Sequence, residues 1–543
     1  MSLYIDTFQG LSPRTPATRL PLGAAIVAHN IDLSRGTLAS WREVRRVHDF
    51  EDTVQTMEVY GCSYFGFKKC VDVARWMPDQ PRLYITGRKD YPEVALVNHK
   101  DGSLKYYRLG VPPPTTVPLL SFSPPGQPSV FTEARTYVFT YVNELGEESA
   151  PSYPSSDCMI DDGGNVTVRG WAPQAAEYGV NRVRIYRATS PFIREGQQVE
   201  EFHTTYLFVA EVPVTTSQFS DTLPNILLGT ALSTREQQPP PDDLQGITAI
   251  DGDVVLAGFA GNKLYFCRRF EPWNWPVELE LTLDEPIVSL SSLNGKLYVT
   301  TTGYPYIVEG STTGDRHERV ADRKDYPFGD IACGYAHPRV MTPFGLVYAT
   351  TEGLALLSEE SKPRLVTETY FSKREWERLR PDTIRLAYWS GMLFCVTEEA
   401  SFIMLLDRAM YPSMAKLLDL TTFSDKPVDM VLSDNGALLM LNANGTVVQW
   451  NAGSSYREFE WVTPVYTYFQ NWLPVASIGI DGNVTLTVES QRASMFTRSV
   501  VDDRAFRMKR LGRNKVEHLR LKGKGEVRFL RIGETKVGIA NRR

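Results

Sequence analysis

The chain has no apolar run near the roughly 18–20 residues needed to cross a bilayer. Its start, MSLYIDTFQG, also lacks the basic-then-apolar layout of a signal peptide. Together these absences lead to the expectation of a protein made and kept in the cytosol. The six cysteines, Cys62, Cys70, Cys158, Cys267, Cys333 and Cys395, contain no CxxC, so reduced, buried thiols are expected and thiolate metal sites are not. Seven histidines, at 29, 48, 99, 203, 317, 337 and 518, stand far apart with no HExxH or HxH grouping. There is no GxSxG elbow and no GxxxxGK[ST] loop. KGKGEV near the C-terminus reads as a basic hairpin, because a phosphate loop needs a strand before it and a helix after it. The expectation is of no enzyme, no catalytic residue, no cofactor or cofactor-binding residue, and no metal site.

What is present is a register of turns. Gly252, Gly295, Gly345, Gly391 and Gly436 each interrupt an apolar run, at spacings of 43, 50, 46 and 45 residues. A second turn follows eight or nine residues after each, at Gly261, Gly303, Gly353, Ala400 and Gly445. Short strands joined by tight turns and repeated every ~40–50 residues predict four-stranded propeller blades. The runs are apolar nearly throughout, as expected of sheets packed on both faces. The Trp-Asp dipeptide and the S-x-D-x-G-x-T-W box of other propellers are absent, and the repeats carry no double glycine.

Residues 1–54 read as an extended arm of short apolar pieces broken by Pro and Gly, and 55–110 as a first blade closed by VPPPTTVP. Between 116 and 236 the pattern changes to alternation, with Tyr137, Phe139 and Tyr141 on one strand face and Val183 and Ile185 on another. This stretch, with NELGEES and VRIYR, resembles a fibronectin type III-like sandwich, expected to fold by itself and to project from the blades. Residues 245–453 then hold five blades, and 454–543 a small basic C-terminal β module. SKREWERLRPD predicts one short helix with Ser372 as N-cap, Glu375 three residues on and Pro381 as its stop. The expected fold is all-β: a six-bladed β-propeller with an inserted fibronectin III-like sandwich and a C-terminal β module.

The net charge of −6 is unevenly spread, because residues 504–543 hold 14 Lys and Arg against 3 Asp and Glu, leaving −17 for the rest. Clustered positive charge attracts phosphate, yet LRLKGKGEVRFLRIGE alternates as a half-exposed strand pair does. The second reading is favoured, with an acidic neighbour as a further option. Acidic doublets at Asp161-Asp162, Asp242-Asp243, Glu359-Glu360 and Asp502-Asp503 sit in polar, turn-like contexts, unlike the paired carboxylates of a glycosidase. Phe270, Trp273, Trp275, Tyr304 and Tyr306 read either as a sugar platform or as packing, with packing favoured.

The PATRLPLGAAIVAHNIDLSRGTLASWRE arm, the NELGEESAPS…VNRVRIYRA sandwich, FCRRFEPWNWP, LYVTTTGYPYIVEGS and TPFGLVYATTEGLALLS together resemble structural proteins of tailed-phage virions, and most closely the tail nozzles of short-tailed phages. The resemblance implies a virion tail protein assembled in the host cytoplasm. It implies a homo-oligomeric ring, a hexamer, that continues the channel for double-stranded DNA and closes the tail before ejection. The implied partners are further copies of the chain, a tail adaptor or portal-proximal ring, tail fibre or tip proteins, and DNA in transit, without membrane insertion. The alternative is a propeller that binds or cleaves glycans on a host surface.

Overall fold

The computed structural model describes residues 2–75, 82–98, 102–126, 132–161, 163–191, 205–250, 254–309, 317–320, 339–359, 363–406, 418–465, 473–489, 494–509 and 518–540. The protein is all-β, and six runs of four strands succeed one another along the chain as propeller blades, five of them separate sheets and the fifth joined into a larger sheet. The first contains Asp72–Arg75, Arg82–Thr86, Glu93–Val97 and Leu104–Arg108; the second, Gln245–Ile250, Val255–Ala260, Lys263–Phe266 and Leu281–Thr282. The third contains Ile287–Leu293, Lys296–Thr301, Tyr306–Glu309 and His317–Val320; the fourth, Arg339–Thr342, Gly345–Ala349, Leu354–Leu357 and Arg364–Leu365. The fifth is Arg385–Trp389, Met392–Val396, Ser401–Leu405 and Thr421–Thr422. In the sixth, Asp429–Leu432, Leu438–Leu441 and Thr446–Gln449 are completed by Arg45–Asp49 from the N-terminal segment.

Gly295, Gly391 and Gly436 occupy the turn between the first and second strands of their blades, whereas Gly345 opens the second strand of its blade opposite Thr342, all four at positive φ between 75° and 127°. Asn294 and Ser390, also left-handed, precede two of them and make the tight hairpin turns that suit twisted strands. Gly252 lies outside the described residues. The second register holds too, with Gly303, Gly353, Ala400 and Gly445 between second and third strands. Threonine marks that turn as well: Thr301, Thr350 and Thr397 each donate to the carbonyl three residues on and accept the N–H two residues on.

The blade strands fail to alternate because both faces are covered. In the fifth blade Leu393 and Cys395 pack with Val347 and Leu354 of the fourth, while Phe394 and Val396 pack with Met430 and Met440 of the sixth. Between the fourth and fifth blades runs the helix Lys373–Arg378, closed by a Ser372–Glu375 capping box. Its Trp376 is wholly buried and donates to the Thr350 carbonyl at 2.7 Å.

Two compact units divide the chain: one holds Met1–Val71, Tyr298–Ile307 and Arg319–Arg543, the other Asp72–Leu297 and Val308–Glu318. In the first unit residues 1–54 are not an arm. Ser2–Ile5 and Leu38–Ser40 pair with the long strand His518–Gly533, and Val27–His29 lies between Phe459–Val462 and Thr421–Thr422. The C-terminal module is therefore no separate small module, since its strands, the N-terminal ones and the fifth blade form one 13-stranded sheet. Phe8 meets Trp461 edge-on at 5.1 Å, both buried, and each such aromatic contributes roughly 1.5–3 kcal/mol by leaving water. Gly10 is required by close approach, because a Cβ there would stand 2.2 Å from the Leu420 carbonyl oxygen.

The expected first blade over 55–110 is two objects. Thr56–Tyr60 and Ser63–Phe67 form a hairpin of their own, whose Met57 and Gly61 amides donate to Asp429 and Asp434 at the sixth blade. The four-stranded first blade begins only at Asp72.

In the second unit the inserted sandwich packs the sheet Leu119–Phe122, Val166–Arg169, Gln218–Asp221 on the sheet Cys158–Asp161, Thr132–Asn143, Val180–Pro191, Leu207–Pro213. Tyr137, Phe139, Tyr141, Val183 and Ile185 share its core. The core ends in buried charge: Arg187 and Asp221, both wholly buried, pair at 2.6 Å, and Tyr137 donates to Asp221 at 2.7 Å. The sandwich does not stand free of the blades, because Glu147 pairs with Arg82 and Glu177 with Arg108 of the first blade.

Turn glycines supply a direct test. At Gly345 an added Cβ would lie 2.1 Å from the Leu357 carbonyl oxygen, whereas at Gly436 it meets nothing within 4 Å. Gly436→Ala is expected to cost only the left-handed strain, about 1–2 kcal/mol. Gly345→Ala adds a backbone clash and should lower the unfolding temperature at least twice as far; equal shifts in a thermal melt would contradict this turn geometry.

Candidate interaction surface

Of the residues that sequence alone marks as functional candidates, the basic C-terminal stretch is the one that the fold develops into an extended surface. Strand His518–Gly533 pairs along its whole length with Val475–Glu489. Leu519, Leu521, Val527, Leu530 and Ile532 enter the core, which turns Arg520, Lys522 and Lys524 to the opposite face. The half-exposed strand pair is thus what forms, and its cations find acids of the same chain. Arg520 pairs with Glu460 and with Glu489, Lys522 with Glu458, Arg528 with Asp503 and Arg531 with Asp6. Lys524 stays exposed.

Register extends this face across the sheet. Ser499 stands opposite Thr485, Thr485 opposite Lys522, Lys522 opposite Glu460, Glu460 opposite His29 and His29 opposite Thr422. Six strands thus carry one polar row. At its end His29 bonds the Thr422 and Ser424 hydroxyls, each at 2.9 Å. Beside it Arg457 pairs with Asp425 and lies 4.5 Å over the Trp450 ring. The surface is one of alternating charge, neutralised within the chain.

The remaining sequence candidates are held locally. Asp242 pairs with Arg108, Asp503 accepts from the Ile480 amide and Arg528, Asp502 accepts the Arg504 amide, and Asp161 accepts from Thr132. Asp162 and Glu360 lie outside the described residues. Trp275 and Tyr306 are buried, with the Trp275 indole bonded to the Pro272 carbonyl, and Phe270 is exposed under Arg269. Among the described residues no three His, Cys, Asp or Glu side chains gather as metal ligands. His48 stacks on Tyr64 at 4.6 Å and His518 bonds the Thr463 carbonyl. His99, His203 and His337, and the His317 side chain, lie outside the described residues. Cys158, Cys267 and Cys395 are buried, with burial pushing the Cys158 thiol up to about 11. Cys62 is exposed and Cys70 partly so, against the expectation of burial, and Cys333 is not among the described residues.

Sequence reasoning missed the acids that neutralise the basic strand. Glu458 and Glu460 lie in REFEWV, whose alternation signals a strand, but nothing local shows which strand it faces.

No family model matches the chain, and no curated protein matches it in sequence. Among solved structures it is similar to the RRP9 WD40 repeats, with 8% identity, 78% of this chain and all of that one covered, and a TM-score of 0.32. It is also similar to Hsv2 of Kluyvelomyces marxianus, with 11% identity, 55% and 85% covered, and a TM-score of 0.25. Likenesses of that size carry no argument, and the assignment to the propeller class rests on the blade topology above.

His29 gives the polar row a pH signature. Burial lowers its pKa below the ordinary 6.5, with Arg457 adding to the effect and Asp425 opposing it. The unfolded chain therefore binds more protons as the pH falls below about 6.5, so His29's contribution is full above that value and is lost as the pH falls through the folded one. Melting temperatures of His29→Gln should decline less between pH 7.5 and 5 than those of the unaltered protein; identical declines would contradict the burial of this imidazole.

Proposed function

We propose that this chain is a structural protein of a tailed-phage virion, acting as the nozzle ring of a short tail. In this reading copies of the chain assemble into a closed ring, a hexamer, that prolongs the DNA channel and holds it shut until ejection. The ring docks on a tail adaptor or portal-proximal ring and carries fibre or tip proteins. Its role is structural and not catalytic.

The observation that carries the reading is the order of parts along the chain. N-terminal strands, a blade, an inserted sandwich, further blades and a C-terminal sheet follow the order of the stretches that bear the sequence resemblance. Charge supports it as well. With −17 outside residues 504–543, the body repels DNA phosphate within about a Debye length, ~8–10 Å at ordinary salt. The basic strand is engaged by Glu458, Glu460, Glu489 and Asp503 of its own chain, which leaves less positive charge to hold DNA.

Native mass spectrometry of the purified protein at high concentration, and of tails isolated with it, tests the ring. The expected species is a closed hexamer of this chain. Monomer alone in both preparations would overturn the proposal.

A further inference from the structure

Among the described residues, ion pairs between the sandwich and the first blade are segregated by sign. The blade supplies Arg82, Lys105 and Arg108; the sandwich supplies Glu147, Glu144 and Glu177. Arg82 reaches Glu147 at 3.3 Å, Lys105 reaches Glu144 at 2.6 Å and Arg108 reaches Glu177 at 3.1 Å. Tyr107 donates to Glu144 at 2.6 Å and Tyr91 to Glu177 at 3.4 Å, and the Arg108 guanidinium also lies over the Tyr91 and Tyr178 rings. Among the described residues the sandwich core cluster begins at Val111 and takes no side chain from the blade.

A second observation concerns the connections. The chain enters the sandwich after Leu109 and leaves it before Leu244, and the two passages touch: a Cβ on Gly110, at φ +82, would meet Pro239 and Pro240 at 2.8 Å. Both links thus pass one point, the geometry of a hinge in which a few residues take up the rotation.

We propose that the sandwich is a releasable module, held on the first blade by this charge-segregated clasp and swinging about the paired links at Gly110 and Pro239–Pro240 when the pairing is screened or reversed. The exposed pairs, with Lys105 and Glu144 at 61% and 44%, are the ones that salt weakens. Glu147, 1% exposed, sets the docked position more than its strength, because on opening both it and Arg82 regain hydration.

The experiment places spin labels at Tyr153→Cys on the sandwich and Lys89→Cys on the blade, both exposed, in a chain with Cys62, Cys70 and Cys333 changed to Ser. Pulsed electron resonance should give one narrow distance at low salt. Near ~1 M NaCl, where the Debye length falls to ~3 Å, a longer and broader population should grow at least about tenfold. Lys105→Glu with Arg108→Glu should produce it at low salt, and adding Glu144→Lys with Glu177→Lys should restore the narrow distance. One unchanged distance through ~1 M NaCl overturns the proposal. That salt series on the unreversed chain decides the matter even where a charge-reversed variant fails to fold.

Discussion

The first unit depends on one constraint: strands from the first fifty residues complete sheets whose other strands lie hundreds of residues later. Arg45–Asp49 supplies the fourth strand of the sixth blade, and Val27–His29 fills the gap between Thr421–Thr422 and Phe459–Val462. Without them Thr446–Gln449 and Phe459–Val462 would each lose the ladder partners on one edge, and unpaired amides and carbonyls away from water are costly. The same strands cover edges that would otherwise invite pairing with another chain. Such distant pairing is slow to form, because a long loop must close before the contacts it permits are made.

Burial of charge takes two forms in the molecule. Inside the sandwich, Arg187, Asp221 and Tyr137 are sealed from water and hydrogen-bonded to one another, so loss of one partner would leave a stranded charge. Along the basic strand the pairs are partly hydrated, as with Lys522 and Glu458 at 50% and 54% exposure, and such pairs contribute little singly. The first arrangement specifies a core; the second keeps a strongly charged strand neutral enough to lie in a sheet.

The blades were readable because their turns demand particular backbone conformations. Gly295, Gly391 and Gly436 recur since left-handed φ is cheap only for glycine, and this marks the register without any partner in view. The capping box at Ser372 is local in the same sense. The N-terminal strands were not readable: Ser2–Ile5, Val27–His29 and Leu38–Ser40 are three or four residues long, and their pairing partners are remote. The break between the 56–67 hairpin and the first blade escaped for a similar reason, since both are runs of short strands and the groups that seat the hairpin, Asp429, Asp434, Leu439 and Leu441, are remote in sequence. For the polar row, alternation shows which side chains share a strand face, but register alone brings Lys522 beside Glu460 and Glu460 beside His29.

The weave of the N-terminal strands is most directly tested by amide hydrogen exchange resolved by mass spectrometry on the full chain. Peptides that contain Leu11, Ala25, Ile26 and Asn30, whose amides bond Leu420, Gly10, Val462 and Thr422, should exchange as slowly as those from His518–Gly533, through opening of the whole unit. Complete exchange of residues 2–32 within seconds, while His518–Gly533 stays protected, would show an arm lying loosely on a finished sheet and would contradict the account.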